Sequence, residues 1–76
     1  LGQYMPHIEA FLKEGAITLG VMSTVGCVAI AVHSSNALAM LKRRSGESLC
    51  DLLLRLDAAI AYALDEGDFI DEINAP

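Results

Sequence analysis

Hydrophobic residues alternate with smaller or polar ones twice in the central part of the chain. The alternating aliphatic positions are Ile17, Leu19 and Val21, followed by Val28, Ile30 and Val32. Alternation with a period of two is typical of a strand with one apolar face. Ser23-Thr24-Val25-Gly26 lies between the two runs and is typical of a short hairpin turn. The pattern predicts an antiparallel hairpin over Ala16–Val32, in which Val21 lies opposite Val28 and all six aliphatic side chains share one face.

Two helical alternatives exist for the same segment. No charged residue occurs between Gly15 and Leu41, so Ala16–Val32 could form a buried helix of a globular domain or a single-pass membrane helix. Lys42-Arg43-Arg44 would anchor the membrane helix on its cytoplasmic side. Gly20, Gly26 and the alternation itself favour the hairpin, and a membrane is the less favoured partner.

Helical spacing predicts three helices outside this segment. The first covers residues 6–14, with proline in its first turn and Gly15 after it. The second begins at Ser34–Asn36, contains Leu38 and Leu41, and ends at Gly46. The third begins with Ser48 as its N-cap and ends at Gly67.

The third helix is apolar on two sides. One stripe contains Leu49, Leu52, Leu53, Leu56, Ile60, Ala63 and Leu64. The second side contains Cys50, Leu54, Ala58 and Ala61. A helix with two apolar sides is usually buried on both, and in a chain of 76 residues the second partner is expected to be another subunit.

Composition supports one small domain that associates with another molecule. The chain is 54 % hydrophobic, which is more than a single core of 76 residues can bury. Its net charge of −5 is uneven, because half of the acidic residues follow Leu64. We expect a single α+β domain over residues 1–67 and an acidic tail over residues 68–76. The predicted order of elements is helix, hairpin, helix and helix, in an obligate homodimer or higher oligomer.

The segment Val28–Leu56 resembles the ribbon-helix-helix family of small dimeric repressors and antitoxins. The resemblance lies in a strand, a helix containing Leu38 and Leu41, the turn Arg44-Ser45-Gly46, and a second helix that contains Asp51-Leu52-Leu53. It implies a bacterial, cytoplasmic DNA-binding regulator in which Lys42, Arg43 and Arg44 contact nucleic acid. In that family, polar side chains of the strand read base edges. Val28, Ile30 and Val32 cannot do so, which disfavours DNA as a partner.

Motifs for catalysis, cofactors and metals are absent from the sequence. It contains no nucleophile elbow, phosphate-binding loop or zinc-protease motif. Cys27, Cys50, His7 and His33 lack metal-ligand spacing and would form a site only if the fold gathered them. We expect no catalytic, cofactor-binding or metal-binding residues.

The sequence therefore predicts a non-enzymatic protein-interaction or accessory module in the cytoplasm. Its principal partner is a second copy of itself, with another protein as a further possibility. A ribbon-helix-helix regulator is the alternative, and a small membrane protein is the third interpretation. The predicted oligomer interface combines the hairpin and the third helix at Val28, Ile30, Val32, Leu49, Leu52, Leu53, Leu56 and Ile60.

Overall fold

A computed structural model describes residues 3–74 as a four-stranded sheet with two helices. The elements are α1 (Pro6–Phe11), β1 (Ala16–Met22), β2 (Gly26–His33), β3 (Asn36–Lys42), α2 (Leu49–Glu66) and β4 (Ile70–Asp71). The sheet order is β1-β2-β3-β4, with β1, β2 and β3 antiparallel and β4 parallel to β3. The predicted α+β class is confirmed, whereas the predicted order of helix, hairpin, helix and helix is wrong.

Helix α2 begins and ends where its capping residues predict. The Ser48 side chain accepts a hydrogen bond of 3.0 Å from the backbone N–H of Asp51. Gly67 closes the helix with a φ of 74°, a left-handed conformation that glycine adopts without steric cost. Local capping chemistry therefore fixes both ends of this element, and the third predicted helix is confirmed.

The segment predicted as a second helix is strand β3. Ser34 and Ser35, which the sequence pattern predicts as helix caps, have φ values of 50° and 67° and connect the paired residues His33 and Asn36. Two successive residues with positive φ are typical of a tight hairpin turn. The chain therefore returns along β2, and pairing with β2 outweighs the helix propensity of the alanines and leucines that follow.

Strands β1 and β2 form the predicted hairpin, but the predicted register is wrong by one residue. Val21 pairs with Cys27, and Val28 pairs with Gly20. The six aliphatic side chains were predicted to share one face of the hairpin. Because of the shift, those of β1 lie on one face and those of β2 lie on the opposite face. Because Ala29 and Ala31 face α2, the small face of β2 supports the helix, and the larger Val28, Ile30 and Val32 point away from it.

Neither helical alternative describes Ala16–Val32, because this segment forms strands β1 and β2. Within residues 3–74, we find no helix that combines the length and the apolar character needed to cross a bilayer.

One hydrophobic core lies between the sheet and the helices. Helix α2 contributes Leu52, Leu56 and Ile60, each with no exposed surface. The sheet contributes mainly small residues, together with Leu41. Because alanines line much of this face, the helix axis can approach the sheet closely while its leucines fill the space between them.

Part of the segment that follows α2 pairs with the sheet. Ile70 and Asp71 pair with Ala39 and Met40 in β3, and Glu72 donates its backbone N–H to the Met40 carbonyl at 2.8 Å. Two residues of the segment predicted to be an acidic tail, Ile70 and Asp71, therefore form the short edge strand of the sheet. Residues 75 and 76 lie outside the described residues.

We predict that Gly15→Ala destabilises the domain by about 1–3 kcal/mol. A Cβ atom at Gly15 would lie 2.6 Å from the Phe11 ring and 2.8 Å from the Val32 carbonyl oxygen, closer than van der Waals contact permits. Gly20 is the matched control, because a Cβ there meets no atom within 4 Å. Thermal unfolding of the two alanine variants tests the packing of α1 on the hairpin. Equal melting temperatures would contradict it.

Candidate interaction surface

Helix α2 leaves most of β1 uncovered, because it packs mainly against β2 and β3. The exposure of the side chains on the helix-facing side of β1 increases along the strand. Ile17 is half-buried, Leu19 is 43 % exposed and Val21 is 86 % exposed. The hairpin therefore extends beyond the helices, and its tip presents aliphatic side chains to solvent.

We call Leu19, Val21 and Met22 the exposed hairpin surface. Met22 ends β1, points to the face opposite Leu19 and Val21, and is 38 % exposed. The surrounding chain from Gly15 to Leu41 carries no formal charge. The exposed hairpin surface is thus a neutral, apolar projection on a chain with a net charge of −5.

The two edges of the sheet differ in length and protection. Strand β1 is seven residues long and contains neither proline nor a charged residue. Strand β4 is two residues long, contains Asp71 and is followed by Glu72, which binds Arg55. Proteins usually protect edge strands by charge, proline or shortness. By these criteria β4 is protected and β1 is open to pairing with another strand.

The hairpin residues predicted to form the interface lie on the sheet face that carries no helix. Val28 is 2 % exposed and Ile30 is 9 % exposed, so both have little free surface. Val32 is half-buried on the same face.

The predicted interface residues of α2 fall into two groups. Leu52, Leu56 and Ile60 fill the core of their own chain and have no exposed surface. Leu53 is half-buried, and Leu49 is 45 % exposed at the start of the helix.

Sequence reasoning missed the role of Leu19, Val21 and Met22 as the most accessible apolar residues of the hairpin. The register error was the cause, because it placed Leu19 and Val21 on the same face as Val28. Ala29 and Ala31 were the available signal. A strand face of alanines allows a helix to pack closely, so the helix-facing side of β1 could have been inferred from its neighbour.

The basic cluster Lys42-Arg43-Arg44 is exposed but lies beside two carboxylates. The backbone N–H of Arg44 donates to the Glu47 carboxylate at 2.9 Å, and the Arg44 guanidinium lies 3.9 Å from Glu72. The Arg43 side chain donates to the Glu47 backbone carbonyl at 2.7 Å. These acids reduce the positive potential that would attract a phosphate backbone.

Arg55 holds three separate parts of the chain together. Its guanidinium donates to Glu47 at 2.7 Å, to Glu72 at 3.0 Å and to the Lys42 carbonyl at 2.9 Å. The hydrogen bond from Arg55, followed by the one from the Arg44 backbone, lowers the pKa of Glu47 to about 2. The network fastens the loop before α2 and the segment after β4 to the helix, which gives it a structural role.

Asp57 acts as a distant cap for the first turn of α1. Its carboxylate accepts hydrogen bonds of 2.8 Å from the backbone N–H groups of His7 and Ile8, and it lies 2.9 Å from His7 Nδ1. Burial acts to raise the pKa of Asp57, but the hydrogen bonds from Ile8 and His7 outweigh it and keep this pKa below its usual value. The pair therefore joins α1 to α2.

A small cavity lies between α1 and the ends of β2 and α2. Its volume is about 200 Å³, and Phe11, Leu38 and Leu64 make its lining largely apolar, with His7 and His33 beside them. Sites for drug-sized ligands usually measure about 300–1,000 Å³. Within the part of the chain that the structure describes, no three His, Cys, Asp or Glu side chains gather around a possible metal position.

Comparison of the chain with protein-family models, with curated proteins and with solved structures finds no match. The surfaces of the chain itself are therefore the basis for a function. In the part of the chain that the structure describes, these surfaces include the exposed hairpin surface and the open edge of β1. Tyr4, Leu12, Tyr62, Leu64 and Phe69 are exposed as well.

Proposed function

We propose that the protein is a non-enzymatic interaction module that forms a homo-oligomer through its β1–β2 hairpin. The observation that carries the proposal is the exposure of Leu19 and Val21 beyond the helices. Complete burial of one such side chain contributes about 1.5–3 kcal/mol. Association would therefore gain free energy that the isolated chain cannot obtain from its own core.

The small size of the domain supports association. A folded chain of this length buries about 60 % of the surface that its unfolded state exposes. In this chain 54 % of the residues are hydrophobic, and β1 remains largely outside the core. A second subunit is the simplest way to cover that strand.

The charge distribution supports a second copy as the partner. Two chains that each carry a net charge of −5 repel one another on average. The hairpin is neutral, and half of the acidic residues follow Leu64. Contact through the hairpins brings the neutral parts together, and a twofold axis duplicates every favourable contact.

Helix α2 extends the proposed interface only through residues with accessible surface. Of the helix residues predicted at the interface, Leu49 is 45 % exposed and is retained as a candidate. Leu54 is 40 % exposed and is added to it. Leu52, Leu56 and Ile60 are buried in the core of their own chain, so they support the interface only by holding the sheet in place.

The two free cysteines, Cys27 and Cys50, support placing this module in a reducing compartment such as the bacterial cytoplasm.

We predict that Val21→Lys converts the oligomer to a monomer. A lysine at this 86 % exposed position stays solvated in the single chain, but it would be buried without a partner at a hairpin interface. Light scattering coupled to size-exclusion chromatography measures the mass, and circular dichroism checks the fold. Phe69→Lys is the matched control, because Phe69 is 64 % exposed and immediately precedes β4 at the opposite edge of the sheet.

The control variant should keep the mass of the natural protein. If Val21→Lys also keeps that mass, the hairpin is not the interface. If Phe69→Lys alone becomes monomeric, the oligomer forms through the β4 side of the sheet.

A further inference from the structure

We propose that the second copy binds by adding its own β1 to β1, antiparallel and edge to edge. The two four-stranded sheets would then join into one sheet of eight strands. The inference rests on the proposed function, because it specifies how the hairpins of two copies meet.

Each copy has one edge suited to this pairing. An edge strand presents unpaired backbone N–H and C=O groups to solvent, and another extended strand can satisfy them. All seven residues of β1 are uncharged, whereas β4 is short and lies beside Asp71 and Glu72. Pairing at β1 uses the open edge of both copies, so assembly stops at two chains and does not continue into a filament.

The different side chains on the two faces of β1 determine how the two sheets are oriented in the dimer. Ile17, Leu19 and Val21 point to the helix side, whereas Thr18 and Gly20 point to the other side. Residues that lie directly opposite in an antiparallel pair share a face. A twofold axis perpendicular to the sheet keeps both pairs of helices on one side and joins the aliphatic side chains of the two copies into one apolar strip.

A twofold axis through Leu19 gives the longest overlap of two strands that each run from Ala16 to Met22. Leu19 then lies opposite Leu19 of the second copy, and Val21 lies opposite Ile17 of the second copy. Val21 therefore contacts the start of the second copy's β1, which is partly covered and follows α1 in the chain. Its exposed side chain would pack against aliphatic surface instead of water.

The charges that flank β1 do not oppose this arrangement. Lys13 and Glu14 precede the strand, and Ser23–Gly26 follow it. Antiparallel pairing places the charged end of one strand near the neutral turn of the other. Like charges therefore do not meet, and any contact of Lys13 or Glu14 with the turn is solvent-accessible.

Stable dimers bury a characteristic area on each chain. Standard interfaces bury about 600–1,000 Å² from each chain, which corresponds to between about an eighth and a fifth of the 4840 Å² surface of this chain. A paired seven-residue strand is about 23 Å long. In the proposed pairing each chain contributes the backbone edge of β1 together with Leu19, Val21 and Met22.

Cysteine crosslinking tests the pairing and its centre. Directly opposite Cα atoms in antiparallel strands lie about 4.5–5.5 Å apart, within the range that a disulfide spans. In a background of Cys27→Ala and Cys50→Ser, we expect Leu19→Cys to give a covalent dimer under mild oxidation. Val21→Cys is the matched control and should remain uncrosslinked, because residue 21 then lies opposite residue 17. The double variant Ile17→Cys with Val21→Cys should crosslink again.

The possible results separate this inference from the proposed function. A dimer in which Phe69→Cys crosslinks and Leu19→Cys does not would overturn edge pairing while leaving self-association intact. A dimer in which Val21→Cys crosslinks instead would overturn the centre at Leu19. A natural protein that stays monomeric would overturn both proposals.

Amide hydrogen exchange on the natural protein provides a test that needs no substitution. The alternate amides of β1 that do not bond to β2 should be protected in the dimer and lose this protection on dilution to monomer. Rapid exchange of these amides in a confirmed dimer would contradict edge pairing.

Discussion

Replacing Leu56 with aspartate is expected to abolish folding. Leu56 is completely buried between α2 and the sheet, where a carboxylate would lie without a partner. Truncating a buried leucine to alanine already costs about 2–5 kcal/mol, and an unpaired charge adds several kcal/mol more. The whole free energy of unfolding of a domain this size is only about 4–11 kcal/mol. Ile60→Asp is expected to have the same effect.

Circular dichroism and the yield of protein in the supernatant measure this effect, and Leu64→Asp is the matched control. Leu64 lies on the same helix and is 63 % exposed, so the control should fold with a loss of at most about 1 kcal/mol from its unfavourable position near the helix C-terminus. A folded Leu56→Asp variant would show that the helix face assigned to the core is wrong.

Replacing Arg55 with methionine is expected to cause the second largest loss. Methionine keeps much of the volume but removes every hydrogen bond to Glu47, Glu72 and the Lys42 carbonyl. Breaking a fully buried ion pair costs about 3–5 kcal/mol. Because the Arg55 side chain is 22 % exposed, we expect a smaller loss of about 1–3 kcal/mol. Arg43→Met is the control, because Arg43 is exposed and makes a single side-chain bond.

The dependence of this loss on pH identifies its electrostatic origin. The hydrogen bond from the Arg55 side chain, followed by the one from the Arg44 backbone, lowers the pKa of Glu47 from 4.5 to about 2 in the folded protein. A carboxyl with a lowered folded pKa stabilises the fold above its unfolded pKa, and this stabilisation disappears as the pH falls through the folded pKa. The difference in unfolding free energy between the natural protein and Arg55→Met should therefore be largest above pH 4.5 and shrink toward pH 2. Urea unfolding across this range measures it, and a difference that does not change with pH would contradict the pairing.

The parts of the fold that sequence reasoning predicted correctly depend on local signals. Ser48 and Gly67 mark the ends of α2 by capping chemistry, which acts within one turn of the helix. Alternation along β1 and β2 likewise reports an extended backbone. Neither signal depends on distant parts of the chain.

The errors arose where long-range packing decides the structure. Residues 36–42 consist mostly of good helix formers, but the turn at Ser34 and Ser35 directs them along β2. The hairpin register depends on which face of β2 receives α2, and Ala29 and Ala31 provide the small face that the helix requires. Clustering the largest side chains on one face was the wrong criterion, because close packing between layers depends on complementary sizes.

The candidate surface could be predicted only in part for the same reason. The hairpin and its neutral charge follow from the sequence, and so does an excess of apolar residues. The exposure of Leu19 and Val21 depends on the width of the sheet relative to the helices above it. That relation requires β3, which packs beneath α2 and lies in the segment that the sequence predicts as a helix.

Sedimentation velocity of the natural protein at micromolar concentration tests the central claim most directly. The account predicts a species with twice the 8.1 kDa mass of one chain, which dissociates on dilution. A mass of 8.1 kDa that persists up to millimolar concentration would contradict self-association through the hairpin.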